Sequence, residues 1–270
     1  MDLIIIGAGP GGYELAADAR RKGLEVAIIE RDKLGGTCLN RGCIPTKALL
    51  ASASIAHDAR AAVDFGIDIA GVTPCYCRAV ERKDNIVSQL REGVAMALDG
   101  VSVIQGEARF VAPDTIEVNG ERYSAPRIVV ATGSAPARLP IPGSEYAITS
   151  DELLELKELP ARVAIIGGGV IGMEFACILH EFGVEVSVIE YCKEILLPFD
   201  RDIAKRLRTA LSRRGINIIV GAAVTSISQG SVTFEHKNKN VMLDTDLVVM
   251  AVGRRPVVPE GLAELGVEIT

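Results

Sequence analysis

Cys38 and Cys43 lie five positions apart in GGTCLNRGCIPTKALL, residues 35–50, and Lys47 follows four residues after the second thiol. Pro45 suits the first turn of a helix, where its fixed φ and missing N–H cost nothing. A helix that begins near Cys43 would set that thiol among free N–H groups at the positive end of the helix dipole, which favours a thiolate. Lys47 would fall on nearly the same helical face, one turn further in. A bridge between the two cysteines closes a small ring and so stabilises a fold little, which makes opening and reclosing its plausible use. Half of a metal site and two independent thiols are the other readings. The metal lacks a second ligand pair, since Cys75 and Cys77 form only a C-x-C and His57, His180 and His236 are scattered.

The elements that must position this loop are legible as a repeat. LIIIGAGPGG at 3–12 matches AIIGGGVIGM at 164–173, so Gly7, Gly9 and Gly12 align with Gly167, Gly169 and Gly172. The match runs on through Glu14 and Glu174, Gly23 and Gly183, and EVAIIE and EVSVIE, which end on Glu30 and Glu190. Each copy reads as strand, GxGxxG turn, helix and strand, a βαβ unit with the dinucleotide fingerprint. The first glycine makes the tight turn, the second lets backbone N–H groups approach a pyrophosphate, and the third lets helix and strand pack closely. Glu30 and Glu190 are placed to accept hydrogen bonds from an adenosine ribose. A carboxylate at Glu190 would repel a 2′-phosphate, and only Lys193 offers a nearby cation, so NAD rather than NADP is expected at the second site.

Between the fingerprints a helix is expected over 46–62, another over 80–98 with apolar residues at Ile86, Leu90, Val94 and Leu98, and a hairpin at Asn119-Gly120. IVVATG at 128–133 and DLVVMAVGRRP at 246–256 each read as a buried strand and turn, and PARLPIPG at 136–143 as a linker. The expected class is α/β with two Rossmann-like, mostly parallel, three-layer domains, residues 1–145 and 146–270. The net charge of -6 and pI near 5.3 argue against a nucleic-acid surface. The N-terminal apolar run is too short for a signal sequence or a membrane span, and six cysteines are too sparse for a disulfide scaffold, so a cytoplasmic setting is expected.

Together, GGTCLNRGCIPTK, ATG at 131–133, GGGVIGME at 167–174 and VGRRP at 252–256 resemble the flavin-dependent pyridine nucleotide–disulfide oxidoreductases, in the family's order and over the whole 270 residues. The resemblance implies FAD in the first domain and NAD in the second, with a Cys38–Cys43 redox disulfide against the flavin. Cys38 would meet the dithiol substrate, Cys43 would be the thiolate beside the flavin, and Lys47 would sit by the flavin and pair with Glu174. Gly36 and Thr37 would touch the FAD phosphates, Ala108 the adenine side, and Thr132 and Gly133 the flavin end. Val224, Ala251, Gly253 and Arg254 would line the NAD site, although Val257 stands close by where the family often has Asn. The branch it resembles most oxidises protein-bound dihydrolipoamide with NAD, its partner being the lipoyl-bearing protein of a 2-oxo acid dehydrogenase or glycine cleavage complex.

The family's subunit runs on past this length, to a returning FAD segment and an interface domain that forms a homodimer and supplies a His base. ELGVEIT at 264–270 reads as the approach to that segment, so low turnover is expected of this chain by itself. His180, with Glu185 five residues on, mimics the base's spacing but lies far in the pattern from the cysteines. Rival readings are a mercuric or low-molecular-weight disulfide reductase, which Glu190 disfavours, and a non-catalytic nucleotide-binding module, which needs neither the cysteines nor Glu174. Cys177 is expected to pack, Cys75 and Cys77 to sit in a connecting loop, and Arg41 to be a solvated loop residue.

Overall fold

The protein, described here as a computed structural model, is defined over residues 1–269; Thr270, the last residue of the 264–270 stretch, lies outside them. Two compact units divide the chain. The first takes Met1–Pro45, Asp84–Ala135 and the chain from Arg255 on; the second takes Thr46–Lys83 and Pro136–Arg254. The division is discontinuous, where the sequence reading cuts once at 145/146. The reason is local: the long helices Cys43–Ala61 and Tyr76–Ala97 carry the chain out of the first unit and back.

The first unit is built on a four-stranded parallel sheet in the order Ser102–Gln105, Val26–Glu30, Leu3–Ile6, Ile128–Val130. Leu3–Ile6 and Val26–Glu30 are buried along their whole length, as strands covered on both faces must be, which is why they read as unbroken apolar runs rather than alternating ones. The fingerprint helix Pro10–Arg21 packs through Ala16 and Ala19 into a core that includes Val94 and Leu98. A three-stranded antiparallel sheet, Ala108–Ala112, Thr115–Val118 and Glu121–Ser124, turns at Asn119-Gly120, both with positive φ as the Asn-Gly hairpin requires. The chain from Arg255 already returns to this unit: Phe110 N donates to Glu260 O at 2.8 Å, and Leu262 and Leu265 pack on its core.

The second unit has a five-stranded parallel sheet in the order Asn217–Val220, Glu185–Glu190, Arg162–Ile166, Leu247–Met250, Ala147–Thr149. Its antiparallel sheet joins Ala222–Ser228, Ser231–His236 and Lys239–Asp244. Leu49, Ala53, Ala79 and Val80 share its core with Val163, Ile165 and Phe175 of the fingerprint. The helix expected over 80–98 starts earlier, at Tyr76, and its apolar face differs from the expected one: Val87, Val94 and Leu98 are buried, but Leu90 is 45 % exposed. Cys75 and Cys77 therefore stand at a helix start and not in a free connecting loop.

Candidate dinucleotide and dithiol sites

The two fingerprint turns are the same object built twice. Gly7 and Gly167 have φ of +105° and +108°, and a Cβ on either would lie 2.3 or 2.4 Å from the carbonyl oxygen of Ala131 or Ala251. Gly12 and Gly172 press against Gly7 O and Gly167 O, where a Cβ would come within 1.8 and 2.0 Å. Gly9 and Gly169 start their helices with φ −73° and ψ near 180°, and neither helix has a side chain capping its first turn. Elsewhere the protein does cap its helices, with Asp200 accepting from two N–H groups and Thr149 and Glu152 forming a capping box. Uncapped N–H groups at the positive end of a 12-residue helix, with no atom within 4 Å of a Cβ on Gly169, leave room and donors for a pyrophosphate.

The terminal glutamates do more than the sequence suggested. Glu30 accepts from Ala8 N at 2.8 Å and Asp32 N at 2.9 Å, and Glu190 from Gly168 N at 2.5 Å and Cys192 N at 2.6 Å. Each carboxylate thus ties its own strand end to the second residue of its glycine turn. Each oxygen keeps a second lone pair, so a ribose hydroxyl still has an acceptor there.

The first unit alone adds the cysteine loop. Gly36, with φ +59°, lies so close to the phosphate turn that a Cβ on it would fall 2.5 Å from Gly9 Cα. The short helix Gly36–Arg41 holds Thr37 and half-buried Cys38, and exposed Cys43 opens the helix Cys43–Ala61. No disulfide joins the two cysteines in the structure. Three residues that the sequence reading passed over shape this loop. Asn40 donates to Leu34 O at 2.9 Å and Gly36 O at 3.0 Å, and its Oδ1 accepts from Arg91 Nε and a terminal guanidinium nitrogen at 3.1 and 2.9 Å. Gly42 makes the bend between the helices, where a Cβ would meet Thr37 O at 2.9 Å and Cys38 Cα at 3.2 Å. The polar Asn and the glycine between the cysteines were the available signals. Arg41 is ion-paired with Asp32 rather than simply solvated.

In the second unit Lys47 Nζ donates to Glu174 Oε1 at 2.5 Å. Glu14, the repeat's counterpart of Glu174, is exposed and next to Tyr13, whose phenol is pushed up by burial first and by Glu14 second. Of the remaining candidates, Ala108 is buried in the core, which leaves its backbone as the part that could meet a ligand. Thr132 donates to Val257 O at 2.5 Å, and Gly133 O accepts from Val257 N at 3.0 Å, so Val257 holds that turn. Val224 sits at a bulge in its strand, Gly253 has φ +108° with open space around it, and Arg254 lies 3.6 Å from Asp151. Cys177 packs against the core, and burial pushes its thiol up. His57 contacts Glu181 at 3.2 Å, in a cluster with Arg60 and Arg214. Among the described residues no group of three metal ligands forms, and no helix is long and apolar enough to cross a membrane.

The pyridine nucleotide-disulphide oxidoreductase family matches residues 1–270. The chain belongs to that family. Among curated members, the dihydrolipoyl dehydrogenase of Acholeplasma laidlawii is 39 % identical over 277 residues, covering 99 % of this chain and 82 % of its own length. Those of Chlamydia muridarum and Bacillus subtilis are 41 % and 39 % identical and cover 94 % of this chain, which spans 57 % and 58 % of their lengths. Among solved structures, the HOCl-induced flavoprotein disulfide reductase RclA from Escherichia coli matches with a TM-score of 0.87 at 32 % identity, over 100 % of this chain and 60 % of that one.

Proposed function

We propose that this chain serves the oxidation of protein-bound dihydrolipoamide by NAD, with FAD held by the first fingerprint and NAD by the second. The observation that carries the reading is the seating of Gly36 on Gly9, which starts a two-cysteine loop directly on a dinucleotide turn. The curated relatives named dihydrolipoyl dehydrogenase support the substrate, and the Glu190 carboxylate, locked onto its turn, supports NAD over NADP by repelling a 2′-phosphate. The lipoyl-bearing protein of a 2-oxo acid dehydrogenase or glycine cleavage complex is the partner this implies, and a homodimer the assembly. FAD is accordingly assigned to the region up to about residue 145 and NAD to the region beyond it.

In the reaction, a substrate thiolate attacks Cys38 of the Cys38–Cys43 disulfide, and the Cys43 sulfur leaves as thiolate. The second substrate thiol then displaces Cys38, which releases the cyclic lipoyl disulfide and leaves both cysteines reduced. Bound FAD would supply the two-electron acceptor for this reduced pair and NAD the final hydride acceptor. Cys43 opens the helix Cys43–Ala61. Lys47 is held by Glu174 one turn into the same helix. Asn40 and Arg91 hold the loop so that the exchange does not deform it.

The test is anaerobic visible spectroscopy of the chain supplied with FAD, with dihydrolipoamide added. The expected result is a long-wavelength band that appears in the wild type on reduction and is absent in Cys43→Ser, with NAD restoring the oxidised spectrum faster than NADP. Absence of bound flavin would overturn the first-site assignment, and a preference for NADPH would favour the second reading. That reading, a flavoprotein disulfide reductase with a different disulfide substrate, draws on the likeness to RclA.

A further inference from the structure

The second unit holds another thiol pair, separate in sequence from both fingerprints and from the cysteine loop. Cys75 immediately precedes the helix Tyr76–Ala97, and its carbonyl accepts from Ala79 N at 3.2 Å, so it stands at the N-cap. There a Ser, Thr, Asp or Asn oxygen ordinarily accepts from the first-turn N–H groups. Here two sulfurs meet instead: Cys75 Sγ and Cys77 Sγ lie 3.0 Å apart, within thiol–thiol hydrogen-bond distance. Side chains two apart within a helix diverge. This pair meets because its first member lies just outside the helix.

The two thiols are unlike. The Cys77 hydrogen bond, then the Arg78 backbone and side chain, lower the Cys75 thiol from 9.0 to about 7, and the same sulfur–sulfur hydrogen bond pushes Cys77 up. Between them, Tyr76 turns inward and packs edge-on to Phe182 with ring centres 5.2 Å apart, while Ala79 and Val80 are buried. That anchor leaves Cys75 half-exposed and Cys77 exposed, in reach of small solutes. A two-thiolate metal clamp fits less well: metal–sulfur bonds of roughly 2.3 Å would hold the sulfurs well beyond 3.0 Å when they lie on opposite sides of the ion.

We propose that Cys75 and Cys77 form a second redox dithiol, which reduces low-molecular-weight disulfides independently of Cys38 and Cys43. Cys75 thiolate attacks one sulfur of the disulfide RSSR; the Cys75–SR bond forms, the S–S bond breaks and RS⁻ leaves. Cys77 then loses its proton and attacks the Cys75 sulfur, which closes the Cys75–Cys77 bond and expels a second RS⁻. Two electrons pass from the protein dithiol to RSSR, which becomes two thiols once RS⁻ takes up protons, and excess thiol reverses the sequence. The helix N-terminus and Arg78 bring positive charge to Cys75, with Glu81 opposing it at Cys77, so a carboxylate-bearing disulfide is met best from the Cys75 side.

Trypsin isolates the pair cleanly, since cleavage after Arg60 and Arg78 gives the peptide 61–78 with these two cysteines and no other, while cleavage after Arg41 parts Cys38 from Cys43. The chain is treated with oxidised glutathione at neutral pH, alkylated, digested and weighed. Peptide 61–78 is expected lighter by two hydrogens and closed to alkylation. Cys77→Ser is expected to stall as a glutathione adduct on Cys75, and Cys75→Ser to react at least about tenfold more slowly, as the remaining thiol is mostly protonated. The same products in a Cys38→Ser/Cys43→Ser variant would show independence from the flavin-side pair, so this proposal and the proposed function fail separately. In the wild type, limiting iodoacetamide is expected to label Cys75 before Cys77, a readout that needs no variant. Two fully alkylated thiols after the glutathione treatment, adducts on Cys77 first, Cu(I) retained by the pair with no disulfide formed, or dependence on Cys38 and Cys43 would each overturn it.

Discussion

The turns around Gly7 and Gly167 agree to within a few degrees of φ and a few tenths of an ångström in their close approaches, yet the chain takes a different course beyond each terminal glutamate. After Glu30 it folds back through Gly35, whose N–H meets Ala8 O at 2.8 Å, and then lays Gly36 on the phosphate turn and enters the cysteine loop. After Glu190 it also folds back, with Leu196 N on Gly168 O at 2.9 Å, but runs on to the Asp200-capped helix Arg201–Arg213 and leaves Gly169 open. The glycine turn is duplicated, and the loop that carries Cys38 and Cys43 belongs to one departure from the repeat alone. The helices diverge in the same way. Glu181 is buried and gathers Arg60 and Arg214, whereas its counterpart Arg21 is exposed.

The sharpest way to break the equivalence is at the third glycine. Gly12→Ala and Gly172→Ala each force a Cβ into a carbonyl, and each is expected to cost roughly 3 kcal/mol in its own unit and to abolish the nucleotide bound there, as read by denaturant unfolding and by FAD or NAD titration. A harmless Gly172→Ala would mean that the two turns are not built alike. Next comes the asymmetry at the helix ends: Glu181→Gln is expected to destabilise by about 2 kcal/mol through its lost charged hydrogen bonds, and Arg21→Gln by less than about 0.5 kcal/mol. Equal effects would dissolve that distinction.

Gly169→Ala separates folding from binding. Its Cβ meets no protein atom, so melting should hardly move, while NAD affinity should fall about tenfold, roughly 1.4 kcal/mol, if a pyrophosphate uses the space. Unchanged affinity would argue against a dinucleotide at that turn. The smallest effect concerns Glu194, whose carboxyl the Arg208 hydrogen bond holds below the usual range. A depressed carboxylate stabilises the fold above its unfolded pKa, and the contribution fades as pH falls through the folded value. Wild type should therefore exceed Glu194→Gln by up to about 1 kcal/mol at neutral pH and converge with it in strong acid; a gap that persisted in acid would assign the effect to packing.

Much of the fold was legible because its signals are local. Both GxGxxG turns, the Asn119-Gly120 hairpin and the strands at Ile128–Val130 and Leu247–Met250 obey rules acting over a few residues, although Ile128–Val130, expected as buried, is only partly so, with Val130 41 % exposed. Helix faces were harder. Leu90 fits an apolar spacing and is nonetheless exposed, because a helix that changes neighbours along its length has no single buried stripe. Asn40 and Gly42 went unremarked for a related reason: a polar loop residue declares itself only when Arg91, distant in sequence, closes on it.

From its own order of residues, then, the chain determined two glycine turns, their strands and helices, and the spacing of Cys38, Cys43 and Lys47, since each depends on backbone sterics and helical period. Tertiary structure decided the rest. Seating Gly36 on Gly9, joining Lys47 to Glu174, gathering Arg60 and Arg214 on Glu181 and returning the residues after Arg255 to the first unit all bring together groups far apart in sequence. Such pairings form only when burial of the cores brings those segments within reach of one another, and no local rule encodes them.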